Sequence, residues 1–225
     1  MSLCSAQLSP ERCSSVASDN CIAATSAFEV VIFSGAYGRA ADYAEVAEVV
    51  SSILPDAAIH VLAVRDVLGC DFWAPYEPTA KEILYQVRQG YPYQEAVSRA
   101  GSWTYCADTS ELQGVIDAIP PCASDKRRIF VGFSNGAITA AAAALHFGAH
   151  GLWLASGTVI DEQAAQLRQL DCRIAVTAGT REAYWGGWRG IFGQLDTVSE
   201  QILFSGRHAK EPSDVVEQVV RWLAA

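Results

Sequence analysis

Gly132-Phe133-Ser134-Asn135-Gly136 comes directly after the apolar run Arg128-Ile129-Phe130-Val131, and its reading decides the fold. A serine between two glycines where a strand passes into a helix sits on a turn too tight for side chains at the flanking positions. That geometry exposes the hydroxyl as a nucleophile. The pattern alone arises often by chance, so the residues on its C-terminal side carry the weight. Residues 135–149 are nearly all alanine with Ile138, Leu145 and Phe147, a strong helix former whose small side chains let it lie close against a sheet.

Working outward, short β-branched runs alternate with helical patterns from Phe28 onward, the signature of an α/β protein with a mostly parallel sheet covered by helices on both faces. Strands are predicted at 29–33, 59–64, 128–133, 151–155, 173–177 and 201–204, giving about six or seven in the sheet. Most are apolar almost throughout, as interior parallel strands are. Helices are predicted at 42–53, 110–119, 135–147, 162–170, 186–196 and 213–223, the last with Ser213 as its N-cap. The stretch 68–108 breaks the alternation: Thr79 and Glu82 form a capping box, Gly90 stops a helix, and Pro92 opens another. It is rich in aromatic residues. Such a two-helix excursion is either a cap over a pocket or packing on a sheet edge.

The chain has 225 residues and a net charge of −9, enough for one buried core, with no run long enough to span a bilayer. Nucleic acid is a poor partner for so acidic a chain, because affinity there rests on neutralising phosphates. Lys126, Arg127 and Arg128 form the one basic run and are read as a solvated strand entry. Seven cysteines, an odd number without CxxC spacing, indicate neither a zinc site nor a complete disulfide framework. Residues 1–27 carry no basic start and apolar stretch of signal-peptide length. They read as a flexible arm ahead of a single domain at 28–225, and a cytoplasmic location is expected.

A serine hydroxyl needs a base to take its proton, and the base needs a carboxylate to fix its tautomer. Of the four histidines, His60 opens an apolar strand, and His146 and His150 end the alanine helix. His208 alone lies on a loop past a strand and ahead of the final helix. For the acid, the strand at 173–177 runs into Ala178-Gly179-Thr180-Arg181-Glu182, which puts Glu182 at the edge where open α/β sheets bind ligands. Asp161 is the rival and Asp196 a weaker one. The oxyanion donors expected are the N–H of Asn135 and, from the turn Ser34-Gly35-Ala36-Tyr37-Gly38, that of Ala36 with Tyr37 as second choice. Tyr37, Trp73, Trp103, Tyr184, Trp185 and Trp188 either wall an apolar acyl pocket or pack in the core.

Taken together, these residues resemble the α/β-hydrolase superfamily, and within it the small, nearly capless carboxylesterases and acyl-protein thioesterases. The likeness runs over about 28–225: a strand ending in a Gly-x-x-Gly turn, the GxSxG elbow, a Gly-x-x-acid after the next-to-last strand, and a late histidine. It implies an α/β-hydrolase fold and a serine hydrolase that cleaves a carboxylic ester or thioester without cofactor or metal, through an acyl-enzyme. By position it implies Ser134 as nucleophile, Glu182 as acid, His208 as base, and Ala36 and Asn135 as oxyanion donors. Three departures stand out. Ser34 replaces a histidine common before the oxyanion glycine, glutamate replaces the commoner aspartate, and the aromatic excursion is longer than a minimal member needs. Two other functions fit the same residues: a catalytically silent fold that binds a small apolar ligand, and transfer of the acyl group to an alcohol or amine.

Overall fold

The computed structural model describes residues 27–69, 73, 82, 85–91, 95–96, 99, 109–121, 125–157, 159, 161–181, 195, 198–209 and 211–225. They form a six-stranded, wholly parallel sheet: β1 (Phe28–Phe33), β2 (Ala58–Leu62), β3 (Arg127–Phe133), β4 (Gly151–Ala155), β5 (Arg173–Gly179) and β6 (Ser199–Phe204), in the order β2-β1-β3-β4-β5-β6. The helices are α1 (Ala44–Ile53) behind a 3-10 turn (Ala40–Tyr43), a single turn α2 (Val64–Val67), α3 (Thr109–Ala118), α4 (Gly136–Phe147), α5 (Asp161–Leu167) and α6 (Ser213–Ala224). Every predicted strand is present within a few residues of its expected bounds. The helix expected at 186–196 lies outside the described residues apart from the helical Leu195. So do residues 1–26 and most of the excursion at 68–108. Gly90, at φ +93°, does end a helical stretch that includes residues 85–88.

Two cores flank the sheet because side chains alternate between its faces. Val31, Phe33, Phe130, Leu152, Leu154, Ile174 and Val176 pack beneath α3, α4 and α5. Val30, Ile32, Ile129, Val131, Phe133 and Trp153 pack beneath α1 and α6. In α4, Ala137, Ala140, Ala141, Ala143 and Ala144 are all buried, so the helix axis lies close to β3. Gly132 in β3 permits this approach. A Cβ there would sit 2.6 Å from Ala137 Cα and 2.7 Å from Ala140 Cβ. In α6, Val215, Val216, Val219, Val220 and Leu223 turn inward while Glu217 and Arg221 pair outside, a one-sided apolar stripe at helical spacing.

Two local expectations are corrected. Arg128 is not a solvated strand entry: it is 6 % exposed and donates from Nε to Oε2 of the buried Glu29 at 2.5 Å. These two residues are register partners across β1 and β3. Sequence distance hid a pairing that the sheet makes adjacent. Ser213 is the first residue of α6 rather than its cap, a position taken by Pro212. Its hydroxyl donates to Glu45 Oε1 on α1 instead.

Candidate active site

Parallel pairing brings the C-terminal ends of β1, β3, β4, β5 and β6 to one rim, with Phe33 beside Gly132, Phe133 beside Ala155, Ala155 beside Thr177, and Gly179 beside Phe204. Among the described residues, four that are not glycine have positive φ: Tyr37 (61°), Ser134 (51°), Ser156 (47°) and Ala209 (47°). All four lie just past strands that reach this rim. Each such residue costs on the order of 1–3 kcal/mol and persists only where its surroundings over-determine it. Strain is therefore concentrated at one end of the sheet.

Ser134 occupies the turn between β3 and α4, its amide donating to Ala155 O at 2.8 Å. The flanking glycines are required there. A Cβ on Gly136 would lie 2.7 Å from Phe33 O and closer still to Ser34 O, both backbone atoms. Gly157 faces the same turn, and a Cβ on it would lie 2.6 Å from Ser134 O.

His208 stands on the turn after β6, and its Nε2 is 2.6 Å from Ser134 Oγ. Two side chains 74 positions apart thus meet as the sequence predicts. The turn is held from below by Arg181 N donating to Gly206 O at 2.9 Å and Thr180 N donating to Phe204 O at 2.9 Å. Glu182, the next residue, lies outside the described residues, as do Asp196, Trp103, Tyr184, Trp185 and Trp188. Asp161 opens α5.

The loop after β1 is braced by Ser34, Tyr43 and Trp73, of which the sequence did not single out Tyr43. Ser34 is fully buried: its Oγ donates to Gly35 O at 3.0 Å and accepts Val64 N–H at 3.0 Å, while its amide donates to Leu62 O. Gly35 N–H donates to Tyr43 Oη at 2.5 Å, which leaves Ala36 and Tyr37 as the candidate oxyanion amides of this turn. Burial pushes the Tyr43 hydroxyl above its ordinary pKa, with the neighbouring Asp42 and Glu211 acting in the same direction against the Gly35 hydrogen bond. Trp73, for which the sequence leaves pocket wall and core packing open, is wholly buried. Its Nε1 donates to Ser34 O at 2.6 Å and its amide to Asn135 Oδ1 at 2.8 Å. One residue thereby ties the β1 loop to the position after Ser134. Tyr37 is half-buried, with the Arg65 guanidinium 5.5 Å from its ring centre.

The other missed residue is Glu211. Its Oε1 accepts from Ser156 Oγ at 2.8 Å and Thr177 Oγ1 at 3.2 Å, and Thr177 in turn accepts from Trp153 Nε1 at 2.9 Å. Burial raises the Glu211 pKa, against the lowering effects of these hydrogen bonds and of His208. A carboxylate three residues past the base and just before the last helix was the available signal, but its partners come from two other strands. Cys172, half-buried, is a free thiol pushed up to about 11, chiefly by burial.

Comparison with solved structures agrees with this architecture. Esterase PE8 is 14 % identical over 89 % of this chain and 93 % of its own, with a TM-score of 0.55. Acyl-protein thioesterase 2 from Zea mays is 14 % identical over 89 % and 94 %, with a TM-score of 0.57. A predicted CIB-like hydrolase from Thermoplasma acidophilum is 12 % identical over 90 % and 88 %, with a TM-score of 0.58. This chain has the α/β-hydrolase fold. At such identities the likeness concerns the fold alone. No protein-family model matches the sequence, and no curated protein does. Within the α/β-hydrolase frame, Ser134 takes the strand-to-helix turn and His208 the turn after the last strand. Among the described residues, no helix is long and apolar enough to cross a membrane.

Proposed function

We propose that this protein is a serine hydrolase that cleaves a carboxylic ester or thioester through an acyl-enzyme. The observation that carries the reading is the 2.6 Å approach of His208 Nε2 to Ser134 Oγ, with Ser134 held at φ 51° on a strand-to-helix turn. A hydroxyl kept in reach of an imidazole can lose its proton as it attacks, which is what an unassisted serine lacks.

In the proposed reaction His208, neutral and protonated on Nδ1, accepts the Ser134 proton as Oγ attacks the carbonyl carbon. The oxygen that becomes negative is met by the N–H of Asn135, next to the N-terminus of α4, and by that of Ala36 or Tyr37. Preorganised donors of this kind are each worth about 3–4 kcal/mol of barrier in acyl transfer. The imidazolium then returns the proton to the leaving alcohol or thiol, and water repeats the sequence on the acyl-enzyme. Glu182, which follows β5 in the chain, is the proposed acid partner of His208. Tyr37, Trp103, Tyr184, Trp185 and Trp188 are the proposed walls of an apolar acyl pocket, suited to an apolar or aromatic acyl part.

Turnover of p-nitrophenyl esters and acyl thioesters of graded chain length tests this directly. Hydrolysis by the wild type, lost by a factor of at least about 1,000 in both Ser134→Ala and His208→Ala, is the expected result. Equal turnover by Ser134→Ala and the wild type would dismiss it.

A further inference from the structure

Glu211 belongs to neither the nucleophile, the base nor the oxyanion loop, yet its carboxyl group is buried at the rim, with Oε2 lacking a hydrogen-bond partner among the described residues. Burying a polar group is costly unless it is hydrogen-bonded, so the bonds made by Oε1 call for an explanation. They run to the ends of two strands. Ser156 comes directly after β4, and Thr177 lies in β5. Thr177 already receives the Trp153 indole N–H, so its own proton is free to point to Glu211. The Ser156 amide donates to Thr177 O at 2.8 Å, which locks the two hydroxyls into one frame.

That frame is also the frame of the nucleophile. Ser134 N donates to Ala155 O, and Ala155 is the residue immediately before Ser156. The end of β4 therefore holds the serine turn through a backbone bond on one side and the Glu211 carboxyl through a side-chain bond on the other. Directly after His208 comes Ala209, at φ 47°, a conformation that favours glycine and that a non-glycine residue keeps only under external constraint. Directly after Glu211, Pro212 caps α6 in an extended conformation. One side chain thus anchors Glu211, three residues past the base, to Ser156 and Thr177.

We propose that Glu211 is a positioning residue for the base: Oε1, held by the Ser156 and Thr177 hydroxyls, fixes the His208 turn to the end of β4, from which Ser134 is also hung. The role needs an acceptor oxygen, not a charge. Glutamine keeps that oxygen, and alanine removes it.

The prediction concerns the reaction proposed above, but one arm of its test does not depend on it. In the first arm, hydrogen exchange of the full-length protein is compared among wild type, Glu211→Ala and Glu211→Gln. Amides of residues 205–209 should exchange at least tenfold faster in Glu211→Ala, those of β3 and β4 should be unchanged, and Glu211→Gln should resemble the wild type. The second arm uses p-nitrophenyl acetate. Here kcat should fall at least tenfold in Glu211→Ala with KM within twofold, and Glu211→Gln should recover most of it. If Glu211→Ala does not fold, Ser156→Ala, which removes one of the two donors, should show the same kcat-selective loss at a few-fold. A folded Glu211→Ala or Ser156→Ala with unchanged exchange and unchanged kcat overturns the proposal, as does a Glu211→Gln no better than alanine. A wild type without esterase activity refutes the hydrolase reading and leaves the exchange arm to decide on Glu211.

Discussion

Replacing Gly136 by alanine adds one methyl group where the N-terminus of α4 meets the end of β1. The new Cβ would lie 2.7 Å from Phe33 O and closer to Ser34 O, well inside the ordinary contact distance. Neither oxygen can retreat cheaply. Phe33 is paired on both sides, with Leu62 and Gly132, and Ser34 is held by Leu62 O, Val64 N and the Trp73 indole. The helix cannot retreat either, because it packs directly on Gly132 and its neighbours. Overpacking against backbone of this rigidity costs about 3 kcal/mol, the upper part of the usual range. In a protein of this size that corresponds to a fall in Tm of roughly 6–12 °C. Gly114 in α3 is the matched control, since a Cβ there meets nothing within 4 Å, and alanine in place of glycine in a helix gains about 0.5–1 kcal/mol. Thermal unfolding monitored by circular dichroism should therefore move in opposite directions for Gly136→Ala and Gly114→Ala. A Gly136→Ala protein melting within about 2 °C of wild type would refute the claim that the serine turn is closed by backbone contact.

The buried pair and the buried carboxyl give two further expectations. Arg128→Leu leaves Glu29 buried beside the half-exposed His60 alone and should lower stability in urea by about 3–5 kcal/mol, whereas the double change Glu29→Leu with Arg128→Leu should restore most of it; equal losses in both would rule out the ion pair as the cause. Glu211 holds its proton more tightly when folded than when unfolded, so the native state binds more protons above the unfolded carboxyl value of about 4.3. Stability from this group is complete below that pH and is lost as pH rises towards the raised folded value. Tm of wild type relative to Glu211→Gln, which does not titrate, should accordingly decline as pH rises above about 4, and parallel curves would contradict the shift.

The sheet was legible because interior parallel strands are apolar nearly throughout and helices intervene between most of them. Ser134 and His208 were legible because strand, turn and helix succeed one another in a fixed local order around each. What could not be read was contact between elements. The Glu29–Arg128 pair depends on β1 lying beside β3, which joins two residues 99 positions apart in the chain. Glu211 looks like any loop carboxylate until Ser156 and Thr177 are placed beneath it. The aromatic residues around Trp73 in sequence left pocket wall and core packing open, and only the fold shows its indole N–H on the Ser34 carbonyl and its ring in the core. Ser213 carries a good capping side chain, and the proline before it moved the helix start by one residue.

Activation of Ser134 by His208 is the step on which the proposed chemistry rests, and a fluorophosphonate probe, read by intact-protein mass and peptide mapping, interrogates it without knowledge of the substrate. One adduct is expected, on Ser134, absent from Ser134→Ala and formed at least about a hundredfold more slowly in His208→Ala. Folded wild-type protein that takes no adduct, or takes one that survives Ser134→Ala, would show that this serine is not the nucleophile.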